Sequence, residues 1–396
     1  MRIYRFRIYP SKKQETQMRH HLWLAKNLWN ELLEHSKELY GNYGKFPTRN
    51  SLQVMVKKSG LFSQTSQEIA HRVEEGIWHY VKRRKAGNRK AGFPRFKSMD
   101  RMRSLHYPQF GFSLGKKLKV TPFGEIQIVQ HRKINGRIKT LTVKREPSGK
   151  WFACFVVEET SSIKPSNGGS RIGIDLGLTT LATLSNGSVI KNPRFIRKYE
   201  EGVAFLQKRL SMKKKGSRNR QRAKRQLATE YENLKNTRRD FLHRLSHNLV
   251  NSYSFIALED LASQELAEQD FGKQINDAGW GELANMLRYK AESAGQHRTM
   301  RRSMSDAFCL EQNAHCKVVF VNPKDTTKTC CICGSVTDMP LAVREYDCHN
   351  CGNHMDRDLN AACNILIRAT AGSVGSNACG DVSRKTSLKQ EAVNLA

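Results

Sequence analysis

Four cysteines place the tightest constraint on this chain. They fall as Cys330-x-x-Cys333 and Cys348-x-x-Cys351, with residues 334–347 between the pairs. That is close to the spacing of a four-cysteine zinc site. Glycine follows each pair, Gly334 and Gly352, and permits the tight turn that aims both sulfurs at one metal. Cys331 lies inside the first pair and is an alternative ligand, but it breaks the two-residue spacing. A secreted disulfide framework would spread its cysteines through a short chain, whereas Cys154, Cys309, Cys316, Cys363 and Cys379 are scattered over 396 residues. Reduced thiols around one structural Zn²⁺ are therefore expected. A closed four-sulfur site does no chemistry itself, so its work is to fold a small module, residues 324–354. Lys324, Lys328, Arg344 and His349 are then placed to meet a polyanion.

The charge points to what that polyanion is. Sixty-eight Lys+Arg against 36 Asp+Glu leave a formal net charge of +32, a self-repulsion that an ordinary metabolic enzyme has no use for. Because 38% of the residues are hydrophobic, the chain is not a basic disordered tail. No apolar run approaches the roughly 18–20 residues of a membrane helix, and MRIYRFRIYP lacks a signal-peptide core. A soluble intracellular nucleic-acid binder is expected. The cations concentrate at 82–97 and 206–239.

Residues 1–10 alternate as a strand, with Tyr4, Phe6 and Ile8 on one face. Ser11 and Gln14 form a capping box that opens a helix through Met18, Leu22, Ala25, Leu28 or Trp29, and Leu32. A second helix carries Ile69, Val73, Ile77 and Val81, and ends at Lys82–Lys85 with Gly87 beyond. AGNRKAGFPRFKS (86–98) interleaves cations with Phe93 and Phe96, as a loop that tracks phosphates and stacks on bases would, although a solvated basic loop has the same composition. From Ser104 to Glu158 short alternating segments predict a small β domain, a barrel that also takes in the first strand. SSIKPSNGGS (161–170) reads as a linker. RIGIDLGLTTLATLSNGSVI (171–190) predicts a hairpin turning at Asn186-Gly187. One helical, very basic region then runs from 206 to 249 into the strand YSFIALED. Residues 280–295 are helical, KVVFVNP is a buried strand, and DLNAACNILIRATAG (358–372) is a closing helix. Residues 373–396 lack periodicity and are expected to be disordered.

Three carboxylates stand beside strongly apolar segments in this acid-poor chain: Asp175 in a strand, Glu259 at a strand exit and Asp358 at the start of a helix. Buried carboxylates are costly without a cation, and metal-dependent phosphodiester hydrolysis needs hard oxygen ligands a few ångströms apart. Singly, each also reads as a turn, strand-end or capping residue. Their order, with Asp on the first strand of a hairpin, Glu at a later strand's end and Asp on a closing helix, is that of RuvC-type, RNase H-like nucleases. A DDE transposase would end in glutamate. Asp356 competes with Asp358 for the third place, and Asn360, Ala361 and Ala362 favour Asp358 because small residues there let the helix pack on a sheet.

Taken together, IGIDLGLTTLAT, RRDFLHRLSHNLV, IALEDL, TTKTCCICG, YDCHNCG and MDRDLNAACNIL resemble the TnpB family, transposon-encoded relatives of type V CRISPR effectors. YRFRIYPSKKQETQMRHHLWLAKNLWN and AGFPRFKS extend the resemblance over nearly the whole chain. It implies an RNA-guided DNA endonuclease: a transposon-derived guide RNA (ωRNA) pairs with double-stranded target DNA, and one RuvC-like site cuts both strands. The catalytic, Mg²⁺-binding acids then fall on Asp175, Glu259 and Asp358, and the Zn²⁺ ligands on Cys330, Cys333, Cys348 and Cys351.

The implied fold is multidomain α+β. Residues 1–10 and 99–165 form a β-barrel-like wedge domain with a helical recognition insert at 11–98. Residues 171–323 and 355–372 form a RuvC/RNase H-like α/β nuclease, with the zinc ribbon 324–354 inserted. A monomer acting at the nucleoid of a prokaryotic cytoplasm, without membrane contact, is expected. The alternatives are a non-cleaving RNA-guided DNA-binding regulator and a transposase in its own right. One departure from the family is QHRTMRRSMSDAFCLEQNAHC (296–316), where His297, Cys309, His315 and Cys316 offer ligands for a second metal site, although their irregular spacing favours bystanders.

Overall fold

The computed structural model describes residues 1–158, 170–261, 272–295, 316–340 and 343–371. The chain divides into two compact units, Met1–Thr160 with Arg209–Thr229, and Ser161–Lys208 with Glu230–Ala396. The expected linker (bar Ser170), most of the 296–316 insert and the tail lie outside the described residues, as do His297, Cys309 and His315.

In the first unit, β1 (Arg2–Tyr9) buries Tyr4, Phe6 and Ile8, the period-2 pattern of a half-buried strand. It is central in a seven-stranded antiparallel sheet with β2 (Ser104–Tyr107), β3 (Phe112–Leu114), β4 (Leu118–Val120), β5 (Gly124–Val129), β6 (Arg137–Arg145) and β7 (Trp151–Glu158). Its order is β2-β6-β7-β1-β5-β4-β3. Among the described residues no ladder joins β2 to β3, so by hydrogen bonding the expected barrel is an open sheet.

Helix α1 (Lys12–Tyr43) starts at the capping box of Ser11 and Gln14 and stops at Gly44, whose φ of 66° is left-handed. Gln14 Nε2 also donates to the carbonyls of Phe123 (3.0 Å) and Glu125 (2.7 Å), fixing the helix start against β5. Helices α2 (Arg49–Met55), which the sequence reading omits, and α3 (Ser63–Lys85) add Leu52, Ile69, Val73 and Ile77 to the core shared by α1 and the sheet.

The 86–98 segment is pinned rather than free. Trp29 donates to the Arg95 carbonyl (3.2 Å), and Asn30 bonds both backbone groups of Lys97. Lys97 Nζ sits 3.1 Å above the Trp29 ring, and burial with Arg72 nearby lowers its pKa to about 8. Phe93 packs against the core, whereas Phe96 stays exposed.

The second unit holds a five-stranded sheet in the order β10-β9-β8-β11-β12. Its strands are β8 (Arg171–Leu176), β9 (Thr180–Leu184), β10 (Val189–Lys191), β11 (Phe255–Glu259) and β12 (Lys317–Val321). β8, β9 and β10 pair antiparallel, while β11 runs parallel to both β8 and β12. Leu242, Leu245 and Leu249 of α5 (Arg218–Ser252) cover one face with α6 (Gly272–Ala278) and α7 (Trp280–Gly295). On another face α8 (Arg357–Thr370) brings Ile365 against Ala257 and Val321. The helical, basic region expected from 206 to 249 is built of two helices, α4 (Phe195–Ser211) ending before α5 begins. Gly216, at φ 84°, makes the intervening turn, and the Arg220 guanidinium donates to the carbonyls of Leu210 (2.9 Å) and Lys213 (2.8 Å).

Candidate active site and metal centre

Strand register brings the first two acids together. The parallel ladder pairs Ile174 with Leu258, so the next residues, Asp175 and Glu259, stand side by side on adjacent strands, which lie about 4.8 Å apart. Helix α8 supplies the third. It packs onto β8 where Gly173 has no side chain: a Cβ there would stand 2.1 Å from the Ala362 carbonyl oxygen. Ala361 and Ala362 are fully buried at this contact, and Asp358 sits in the first turn of α8, where the helix dipole favours an anion.

Asp175 feels the charges of both other acids. Burial pushes the Asp175 carboxyl up to about 7, with further push from the charges of Glu259 and Asp358, and Arg357 opposes it. Glu259 is raised by burial and held back by the Thr326 hydroxyl and Arg368. Asp358 is raised by burial and by Asp356, against Arg344 and Arg357. Asp356, the competitor for the third position, is exposed and caps α8 by accepting from Leu359 N at 2.9 Å.

Of the cations around these acids, the sequence reading marks Arg344 only as a nucleic-acid contact and Arg357 not at all. Arg357 is buried, with Nη1 on the carbonyls of Pro340 and Val343. Arg344 Nη1 stands 4.0 Å from Asp358 Oδ1. An arginine within two residues of a candidate acid was the available signal for Arg357, whereas nothing local ties Arg344 to the acids.

The carboxylates fit a divalent cation by chemistry: three oxygen donors, desolvated and mutually repelling, favour a bound positive charge. Asp175 is within electrostatic reach of Glu259 and of Asp358, but among the described residues the three are not gathered into a closed ligand set. Among the described residues, the group of side chains gathered to ligand distance is Cys330, Cys333, Cys348 and Cys351, whose sulfurs all lie within 4.8 Å of one another.

Those sulfurs fit zinc. Cys330 Sγ is 3.7 Å from Cys351 Sγ, and Cys333 Sγ is 3.5 Å from Cys348 Sγ; tetrahedral Zn–S bonds of about 2.3 Å space sulfurs by roughly 3.8 Å. Two matching knuckles aim them. Gly334 N donates to Cys330 O and Gly352 N to Cys348 O, both glycines holding left-handed φ, 75° and 72°. Cys331 is buried with its sulfur on Met355 Sδ at 3.7 Å, outside the set. β13 (Glu345–Asp347) and β14 (His354–Asp356) flank the second knuckle and pair antiparallel. Of the cations expected to meet nucleic acid here, Lys328 is 2.6 Å from Asp338.

Family models match three stretches: one described as "Probable transposase" over residues 154–270, a Cas12f1-like TNB domain over 310–365, and a helix-turn-helix domain over 1–45. The last covers β1 and α1, one strand and one long helix. A Streptomyces pristinaespiralis protein is 30% identical over 98% of this chain and 96% of its own length. An Escherichia coli K12 protein, InsQ, is 26% identical over 100% and 98%. Both bear names beginning "Putative RNA-guided DNA endonuclease". Among solved structures, a Cas12f1–sgRNA–target DNA complex aligns with a TM-score of 0.57 at 14% identity, covering 90% of this chain and 83% of that one, a likeness of fold. With a relative this similar along its full length, the chain belongs to the TnpB family of transposon-encoded proteins.

Proposed function

We propose that this chain is an RNA-guided DNA endonuclease that cuts both target strands at one RuvC-like site built from Asp175, Glu259 and Asp358. The observation that carries the reading is the convergence of three acids distant in sequence, close enough that Glu259 and Asp358 help raise Asp175 to about 7. The sheet order β10-β9-β8-β11-β12, with three antiparallel strands followed by two parallel ones, supports an RNase H-like layout for 171–323 and 355–372. The seven-stranded sheet is the candidate wedge domain, α1–α3 the candidate recognition insert, and the four-cysteine module the candidate zinc ribbon.

Mg²⁺, when bound, would activate a water and stabilise the leaving oxygen of the phosphodiester. The residues of this chain do the rest. Asp175, Glu259 and Asp358 offer oxygens from two strand ends and a helix N-terminus, elements stiff enough to fix their spacing. Arg344 and Arg357 limit the repulsion among them. The net charge of +32 suits a guide RNA and a heteroduplex, in which base pairing reads sequence and the protein reads backbone and shape. Among the described residues no helix is long and apolar enough to cross a membrane, and we assign the work to nucleoid DNA in a prokaryotic cytoplasm. Sequencing the RNA that co-purifies with the chain tests the reading: one RNA species with a constant part and a 3′ guide segment supports it. Absence of bound RNA, with strand transfer on naked DNA, contradicts it in favour of a transposase.

A further inference from the structure

The loop that leaves β12 for the cysteine module runs past Glu259 and presents one side chain to it. Thr326 is 2% exposed, and its hydroxyl lies against Glu259 Oε1 and, at 3.0 Å, the Pro323 carbonyl. A hydroxyl has one proton to give. When Glu259 is ionised the nearer carboxylate oxygen takes it, the stronger, charge-assisted bond. That bond fixes one Glu259 oxygen, and among the described residues the other accepts no hydrogen bond.

The loop itself is held from three sides. β12 pairs with β11 up to Val321 opposite Glu259, which sets where the loop starts. Asn360, Asn364 and Arg368 recur every four residues on one face of α8, and grip its backbone. Asn364 Nδ2 donates to the carbonyls of Thr326 (2.9 Å) and Thr329 (2.6 Å). Asn360 bonds Thr329 O (2.8 Å) and Cys331 N (3.0 Å), and Arg368 reaches the carbonyls of Asn322 and Lys324. Cys330, the first sulfur of the metal set, anchors the far end. The turn needs this support, because Asp325 just before Thr326 holds φ at 58°, a region non-glycine residues seldom occupy.

We infer that Thr326 is a positioning residue for Glu259: held by the asparagines of α8 and the cysteine module, its hydroxyl orients the carboxylate toward the divalent cation. The inference rests on the reading of Glu259 as a catalytic acid. It also gives the zinc module a part in catalysis without any chemistry at the zinc.

The test compares Thr326→Val, Thr326→Ser and Glu259→Gln in the full chain with its guide RNA. Single-turnover DNA cleavage is measured across Mg²⁺ concentrations, and Mn²⁺ binding is read by electron paramagnetic resonance as the excess over an Asp175→Ala complex. The valine keeps the branched shape and removes the hydroxyl. It is expected to raise the Mg²⁺ needed for half-maximal cleavage, and to weaken Mn²⁺ binding, by about 10- to 100-fold, the usual cost of losing an outer partner of a metal ligand. Serine is expected to restore both, with target binding and zinc content unchanged throughout. Wild-type metal dependence in the valine variant, or equal losses in valine and serine, overturns the inference. Should valine unfold the loop, Thr326→Ala against Thr326→Ser isolates the hydroxyl, and equal losses in that pair overturn it too. Glu259→Gln that cuts at the wild-type rate removes the reading beneath it, whereas an inactive Glu259→Gln beside a normal Thr326→Val removes the inference alone.

Discussion

Gly173 of β8 lies against the backbone of Ala362 in α8 so closely that a methyl group on it would stand 2.1 Å from the Ala362 carbonyl oxygen and 2.9 Å from Leu366. This contact sets the distance between the strand that carries Asp175 and the helix that carries Asp358. Because backbone, not a flexible side chain, occupies the space, Gly173→Ala must push the helix off the sheet. A loss of at least roughly 1–3 kcal/mol of stability is expected, together with loss of cleavage. Gly41→Ala is the control. Nothing lies within 4 Å of its Cβ position in α1, and alanine there is expected to be neutral or to stabilise by up to about 1 kcal/mol. Thermal unfolding of the two variants checks both.

Asp175 predicts a trade between stability and function. Its folded pKa of about 7 lies above the ordinary carboxylate value. The folded state therefore binds the extra proton, and stability falls as pH rises through that range. In metal-free protein, Asp175→Asn is expected to gain roughly 2–4 kcal/mol at pH 8 and little at about pH 2.5, below the unfolded value, where the wild-type carboxyl is protonated in both states. Mg²⁺ is expected to stabilise the wild type and not the variant. Chemical unfolding at the two pH values, with and without Mg²⁺, measures this.

Asp356 and Asp358 separate cleanly. Asp356→Ala removes the helix cap, so a loss of about 1 kcal/mol is expected, with cleavage retained. Asp358→Ala removes a charge that reaches Asp175 and is expected to abolish cleavage while guide RNA stays bound. Unfolding midpoints and a plasmid-cutting assay on both variants decide which acid serves.

The cysteine module predicts metal content directly. Elemental analysis is expected to find one zinc per chain, lost in Cys348→Ser and kept in Cys331→Ser, because the Cys331 sulfur turns to Met355. Loss of zinc in Cys331→Ser would exchange the ligand assignment.

Some of this was legible in the sequence because local rules carry it. The alternation of β1, the capping box at Ser11, the turn at Gly187 and the two Cys-x-x-Cys-Gly knuckles all act through near neighbours. The small residues after Asp358 likewise announced a close packing, although its partner, Gly173, lies far away in the chain. The break between α4 and α5 was hidden because the polar run around Gly216 keeps helix-forming residues on both sides. The shell of the acids was hidden for a different reason. Thr326, Arg344 and Arg357 acquire their roles only when β11, the loop after β12 and α8 meet, and no spacing along the chain records that meeting. In the 86–98 segment composition did not reveal that Phe93 and Lys97 pack on the core and α1, while Phe96 stays exposed.

Cutting of a DNA duplex that carries the sequence of the co-purified guide, by the intact complex with Mg²⁺, tests the central proposal most directly. Wild-type complex is expected to cut both strands of the matched duplex and neither strand of a scrambled one, and Asp175→Ala to bind the matched duplex without cutting it. Undiminished cutting by Asp175→Ala, or cutting that ignores the guide sequence, would contradict the account.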